Sequence, residues 1–226
     1  MANTINPKKS KTEIVCILDR SGSMSSLATD TIGGYNTFID KQKQEPGEAF
    51  VTTVLFDDQY EVLHDRIDIK AVSPITDNDY FVRGQTALLD AVGKTINKIG
   101  DVQKNTAEEY RAGKVLFVIT TDGMENASRK FGYGKIKKMI EKQKSKHNWE
   151  FIFLGANIDA VEVAGNFGIS ADRAQNFHND SAGIRTNFRE LSMTIGAYRK
   201  SKIGEGISEN WSKGIQEDFV SRKGKK

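Results

Sequence analysis

The stretch Glu13-Ile14-Val15-Cys16-Ile17-Leu18-Asp19-Arg20-Ser21-Gly22-Ser23-Met24 decides the reading of this chain. Between Glu13 and Asp19 lies a near-continuous apolar run, as expected of a central parallel strand buried on both faces. The run stops at a carboxylate and enters a turn where Ser21 and Ser23 alternate, with Gly22 relaxing the backbone between them. That spacing lets two hydroxyls turn toward one point at the carboxyl end of the strand. A plainer reading is that Asp19 and Ser23 cap the helix that follows, but it accounts for this loop alone.

Working outward, Ile32, Tyr35, Phe38 and Ile39 recur at helical spacing, with Gly33-Gly34 read as a loop-to-helix transition. Phe50 to Phe56 and Tyr60 to Ile69 form a hairpin about Asp57-Asp58-Gln59. Leu88, Leu89, Val92, Ile96 and Ile99 mark a helix for which Gly100 offers a stop. Val115 to Thr120 and Phe151 to Leu154 are further buried strands, separated by a lysine-rich helix carrying Ile136, Met139 and Ile140. A short helix over Ala160 to Phe167, a weak strand over Ala174 to His178 and a helix with Phe188, Leu191, Ile195 and Tyr198 complete the series.

The order β-α-β-β-α-β-α-β-α-β-α predicts a Rossmann-like, doubly wound α/β fold. Its six-stranded sheet is mostly parallel, with one antiparallel edge strand and helices on both faces. Residues 12–200 are assigned to this domain, 1–11 to a polar tail with Lys8, Lys9 and Lys11, and 201–226 to an extension. In the extension Ile207, Trp211, Ile215 and Phe219 lie four residues apart, the spacing of one helical face. Gly206 and Gly214 weaken that helix by about 1 kcal/mol each. The expectation is that it packs back onto the domain; the basic end, Arg222, Lys223, Lys225 and Lys226, reads as a solvated tail.

The 226 residues are 38% hydrophobic and 28% charged, which suits one globular domain and excludes a disordered chain. A net charge of +3, spread along the sequence, gives no reason to expect nucleic acid as a partner. No apolar run reaches the roughly 20 residues of a membrane span, and none near the start has signal-peptide length, so a cytoplasmic location is expected. Cys16 is the only cysteine, which rules out an intrachain disulfide; its apolar setting predicts a buried, inert thiol.

The chemistry gathers where an open parallel sheet places its ligands, beyond the carboxyl ends of the strands. Asp19, Ser21 and Ser23 follow the first strand, and Thr120-Thr121-Asp122-Gly123 closes the second buried parallel one. Between them Arg83-Gly84-Gln85-Thr86 leads into a helix. Asp19, Ser21, Ser23, Thr86 and Asp122 are all oxygen donors, without imidazole or thiolate. Such a set suits a hard cation, Mg²⁺ first, Mn²⁺ next and Ca²⁺ after them. Two carboxylates balance the ion, and neutral hydroxyls leave it able to take one more oxygen, for which a carboxylate from another protein is the natural source.

These three loops, in this order, resemble the metal-ion-dependent adhesion site (MIDAS) of von Willebrand factor A (vWA) domains, and among them the stand-alone intracellular microbial type. The likeness covers roughly residues 12 to 170 well and extends to about 200. It implies that Ser21, Ser23 and Thr86 hold the metal directly or through water, while Asp19 and Asp122 act mainly through water or switch with ligand state. It also implies a protein partner presenting Asp or Glu, and no enzyme activity.

Other residues take structural roles in this reading. Asp90 braces the rim from early in its helix, Asp57 and Asp58 turn the hairpin, and Glu125 and Asn126 order their loop. Arg20 and Met24 are expected to lend charge and soft apolar contact to the binding surface. His64, His147 and His178 are read as surface or packing residues. Two competitors remain. A metal-dependent hydrolase, phosphatase- or nuclease-like, suits the fold but lacks a second Asp two residues after Asp19 and an evident base or phosphate clamp. A scaffold whose metal only stiffens the loops is the other.

Overall fold

A computed structural model describes residues 11–223; the expectations for Lys8, Lys9, Lys225 and Lys226 lie outside these. In chain order the elements are β1 (Thr12–Asp19), α1 (Ala28–Gln44), β2 (Ala49–Phe56), β3 (Tyr60–Asp68), α2 (Leu88–Asn105) and β4 (Lys114–Thr121). They continue with α3 (Tyr133–His147), β5 (Glu150–Gly155), α4 (Ala160–Asn166), β6 (Ala174–Asn176), α5 (Ser181–Lys200) and α6 (Lys213–Arg222). The sheet runs β3-β2-β1-β4-β5-β6. Every neighbouring pair is parallel except β2 and β3, which form the expected antiparallel edge.

The chain leaves β1 toward β2 and β3, then returns through α2 to β4 on the other side of β1. The strand order therefore reverses between β1 and β4, and the crevice of a doubly wound sheet opens at their carboxyl ends.

β1 shows why both faces must be covered, since all eight of its residues are buried. Ile14, Cys16 and Leu18 face α1 and α5, meeting Tyr35, Phe38, Leu191 and Ile195. Val15 and Ile17 face the other way, toward Val92 and Ile96 of α2 and Ile136 and Ile140 of α3. Period-two alternation thus feeds two apolar layers, each buried side chain contributing roughly 1.5–3 kcal/mol. Cys16 lies within the first layer, where burial pushes its thiol up to about 12. No helix among the described residues is long and apolar enough to cross a membrane.

Three boundaries differ from the sequence reading. Gly33 and Gly34 lie inside α1 rather than ahead of it. A Cβ on Gly34 would fall 2.2 Å from the Phe188 ring, so this glycine is required by the close approach of α1 and α5. Gly100 does not end α2, which continues to Asn105 and buries Ile99 and Gln103; a cost of about 1 kcal/mol is outweighed by packing.

The extension does not form one helix through Ile207 and Phe219. Residues 205–212 are irregular coil and turn, and only Lys213–Arg222 is helical. Ile207, Trp211 and Ile215 nevertheless join the core on the α1/α5 side. The indole nitrogen of Trp211 donates to the Asp172 carbonyl at 2.6 Å, and Arg173 donates to the Ile207 carbonyl at 2.8 Å.

Candidate metal centre

Pairing of β1 with β4 in the register Leu18 to Thr120 sets Asp19 beside Thr121 and brings Asp122 to the same edge. The Thr121 hydroxyl donates to Asp19 Oδ2 at 2.5 Å, and the Ser21 amide donates to Asp19 Oδ1 at 2.7 Å. Tyr80 donates from its phenol to the Asp19 carbonyl and so fixes the end of the strand. From here a chain of oxygens crosses the rim. Ser21 Oγ lies 3.1 Å from Ser23 Oγ, and Ser23 Oγ donates to Asp122 Oδ1 at 2.5 Å. The second carboxylate oxygen, Asp122 Oδ2, is buried and has no hydrogen-bond partner.

Thr86 completes the set from the third loop. Its amide donates to Asn126 Oδ1 at 2.9 Å, and its carbonyl accepts from the Asn126 amide at 3.0 Å. Its hydroxyl shares no hydrogen bond with the serines, yet both stand over the same backbone atom. A Cβ on Gly123 would lie 3.3 Å from Thr86 Oγ1 and 3.4 Å from Ser23 Oγ. All five predicted residues therefore converge. Ser23 stays exposed, whereas Asp19, Ser21, Thr86 and Asp122 are buried. The capping alternative fails on the same geometry, because the Ser23 hydroxyl serves Asp122 and α1 has no side-chain cap.

The electrostatics of this edge are those of two anions held out of water. Burial pushes the Asp19 carboxyl up to about 6, partly offset by the bonds from Thr121 and Ser21 and reinforced by the charge of Asp122. Burial raises Asp122 as well, opposed by the Ser23 bond and by the nearby side chain of Asn179. Asn179 Oδ1, like Asp122 Oδ2, is buried without a hydrogen-bond partner. Among the described residues no Lys or Arg forms an ion pair with Asp19 or Asp122. Buried carboxylates left in this state are costly, and either protonation or a bound cation would relieve them.

Arg20 and Met24 are corrections. Neither offers a contact surface, for Arg20 is 0% exposed and Met24 1%. The Arg20 guanidinium is turned to Asp57 Oδ2 at 3.1 Å and Glu61 Oε2 at 2.7 Å, with Phe81 across its face. Asp57 is more than a turn residue, since Arg83 also donates to it at 2.7 Å. Burial by itself raises this carboxyl, but the bonds from Arg83 and the Gln59 amide, with the charge of Arg20, hold it below the usual range.

The bracing roles hold as expected. Asp90 accepts from the amides of Arg129, Lys130 and Phe131, and Glu125 accepts from those of Leu89, Ala127 and Ser128. Tyr80 and Asn179 had no sequence signal, since each sits in an irregular loop with no motif around it.

No family model and no curated protein matches this sequence. Solved structures do. The von Willebrand factor domain of a type V pilus tip protein from Porphyromonas gingivalis is 11% identical, with a TM-score of 0.59 over 85% of this chain and 97% of that one. The manganese-loaded TRAP protein of Plasmodium vivax is 18% identical, with a TM-score of 0.54 over 79% of this chain and 73% of that one. A proximal thread matrix protein of the mussel byssus, with zinc in its MIDAS motif, is 13% identical at a TM-score of 0.56. There the match takes in 84% of this chain and 46% of the mussel protein, so this chain spans less than half its length. These likenesses define the fold as the Rossmann-like one of vWA domains.

Proposed function

We propose that the chain is a binding module that holds a divalent cation at Asp19, Ser21, Ser23, Thr86 and Asp122 and uses it to capture an acidic side chain of a partner protein. The observation that carries this reading is Asp122 Oδ2, a buried carboxylate oxygen without a donor, set beside a hydroxyl chain and a second buried carboxylate. The donor set is oxygen only, which favours Mg²⁺ or Mn²⁺, with Ca²⁺ after them. Neighbours of the same fold carrying zinc or manganese support a divalent ion in general.

When bound, the cation supplies a concentrated positive charge that a partner's Asp or Glu can neutralise. The residues of this chain do the rest. Ser21 and Ser23 offer hydroxyls, Thr121 and the Ser21 amide keep Asp19 turned to the rim, and Asn126 holds the Thr86 backbone in place. Ser23, the exposed member of the set, marks the side from which a partner arrives. The reading includes a reducing, cytoplasmic setting, supported by a single buried cysteine.

Calorimetric titration with Mg²⁺ and Mn²⁺ tests it. One site is expected, lost in the double variant Ser21→Ala/Ser23→Ala, whose melting temperature without metal stays near that of the parent. At free Mg²⁺ a hundred times Kd, the folded state gains about 2.7 kcal/mol, roughly 5–10 °C in Tm for a domain of this size. No uptake at millimolar metal ends the proposal. Metal-dependent turnover of phosphoesters, abolished in Asp19→Ala, would replace it with a hydrolase.

A further inference from the structure

Next to the five-residue centre the rim opens into a groove of about 660 Å³, and the C-terminal extension builds one of its walls. The groove crosses the carboxyl end of β6, between α4 and α6, both of which touch that strand. It is continuous with the centre at two points. Met124 lies two residues beyond Asp122, and Asn179, in the loop after β6, lines the groove with its side chain near Asp122.

The groove sets exposed apolar side chains among polar and charged ones. Met124 is 68% exposed and Tyr133 40%, large apolar side chains left in water next to a polar rim, which is how interaction sites differ from ordinary surface. Ile158 continues this side, and Phe219 of α6 faces it. The α6 wall is already in place. The Phe219 ring packs 4.8 Å from the His178 ring, the Phe219 carbonyl lies 2.9 Å from His178 Nε2, and Arg222 ties α6 to Asp180 while also pairing with Asp218 within the helix. Asp159 and Glu162 lie on the α4 side, neither in an ion pair among the described residues, while Lys223 stands at the α6 end.

We infer that this groove reads the residues flanking the partner's acidic side chain, and that it fits an extended segment carrying an apolar side chain and then a Lys or Arg. The inference rests on the metal-site reading and deepens it. With the acidic group at the centre, the apolar side chain covers Met124, Tyr133 and Phe219, and the basic group answers Asp159 and Glu162. Affinity comes from burying the apolar anchor, and orientation from the charge across the groove.

The test pans random linear peptides, displayed on phage, over the immobilised full chain in Mg²⁺ and elutes with chelator. The arms are the parent, Glu162→Lys and Met124→Ser, both changes being at exposed positions; Mg²⁺ uptake is measured on each. The parent is expected to enrich Asp or Glu accompanied by an apolar residue and a Lys or Arg, about tenfold over the unselected library. Glu162→Lys should lose the basic preference and Met124→Ser the apolar one, with Mg²⁺ uptake unchanged in both. An acidic residue enriched alone, or one consensus for all three proteins, overturns the groove assignment and leaves the metal-site reading standing. Mg²⁺ uptake with no chelator-eluted peptide overturns both.

Discussion

Asp57→Ala is the substitution with the largest consequence outside the metal centre. The Asp57 carboxylate is fully buried and accepts from Arg20 Nε at 3.1 Å, Arg83 Nε at 2.7 Å and the Gln59 amide at 2.6 Å. Its loss leaves Arg20, itself fully buried and already with one amino group without a partner, with only the half-exposed Glu61 as a charged partner. Removing one member of a buried pair costs about 3–5 kcal/mol, which corresponds to a fall of roughly 6–20 °C in Tm. Glu61, the other partner of Arg20, has a side chain 46% exposed, and Glu61→Ala should cost about 1 kcal/mol or less. Arg20→Met in the Asp57→Ala background removes the stranded charge and should restore part of the loss.

Urea unfolding at neutral pH measures all four proteins on one scale. The sign of the pH dependence is fixed by the direction of the shift. Asp57 is held below its ordinary value, so its contribution is complete above the unfolded pKa of about 4 and disappears as pH falls through the lower folded value. An Asp57→Ala protein no less stable than Glu61→Ala, or a double variant no better than Asp57→Ala, would refute the reasoning.

Gly34→Ala places a methyl 2.2 Å from one Phe188 ring carbon and 2.8 Å from the next, so α1 and α5 must separate or the ring must turn. A loss of about 1–3 kcal/mol is expected in urea unfolding, with partial recovery in Gly34→Ala/Phe188→Leu; equal stability of Gly34→Ala and parent contradicts it. His64 is buried against Tyr35 and Thr53, and burial lowers its pKa, opposed by the charge of Asp79. The unfolded chain therefore takes the proton first. Stability is full above the unfolded value of about 6.5 and declines as pH falls through it toward the folded one. His64→Gln should flatten that decline below about pH 6.5, read from unfolding midpoints across a pH series; parallel profiles would count against it.

The fold was legible because a strand buried on both faces has almost no freedom in its residue types. Glu13–Asp19, Val115–Thr120 and Phe151–Leu154 each sit within one residue of the observed β1, β4 and β5 ends or fall inside them. Helix ends were less legible, since Gly33, Gly34 and Gly100 carry meaning only through what packs on them. Gly34 is small because Phe188 lies against it, a fact 154 residues distant in sequence. In the extension, four-residue spacing suggested one helix. Ile207, Trp211 and Ile215 are indeed buried, but as points where an irregular strap and a short helix each touch the core.

The convergence of Asp19, Ser21, Ser23, Thr86 and Asp122 on one edge could be read because three strand-end loops carry them, whereas their surroundings are set by strand register. Arg20 illustrates the difference. A guanidinium between two would-be ligands reads as surface charge until β1 and β2 are paired. Only the register of Asp19 with Phe56 brings Asp57 alongside Arg20, and the fate of that charge is settled there. The same pairing explains why Asp19 and Asp122 lack a cation of their own. The nearest arginine is spent on Asp57 and Glu61, and the brace residues Asp90 and Glu125 bond mainly backbone amides. Two buried carboxylates are thereby left facing one another across Ser21 and Ser23, with their charge unanswered from within the described chain. On the proposed reading, a fold that spends its basic residues elsewhere around this rim leaves the neutralising charge to a bound cation.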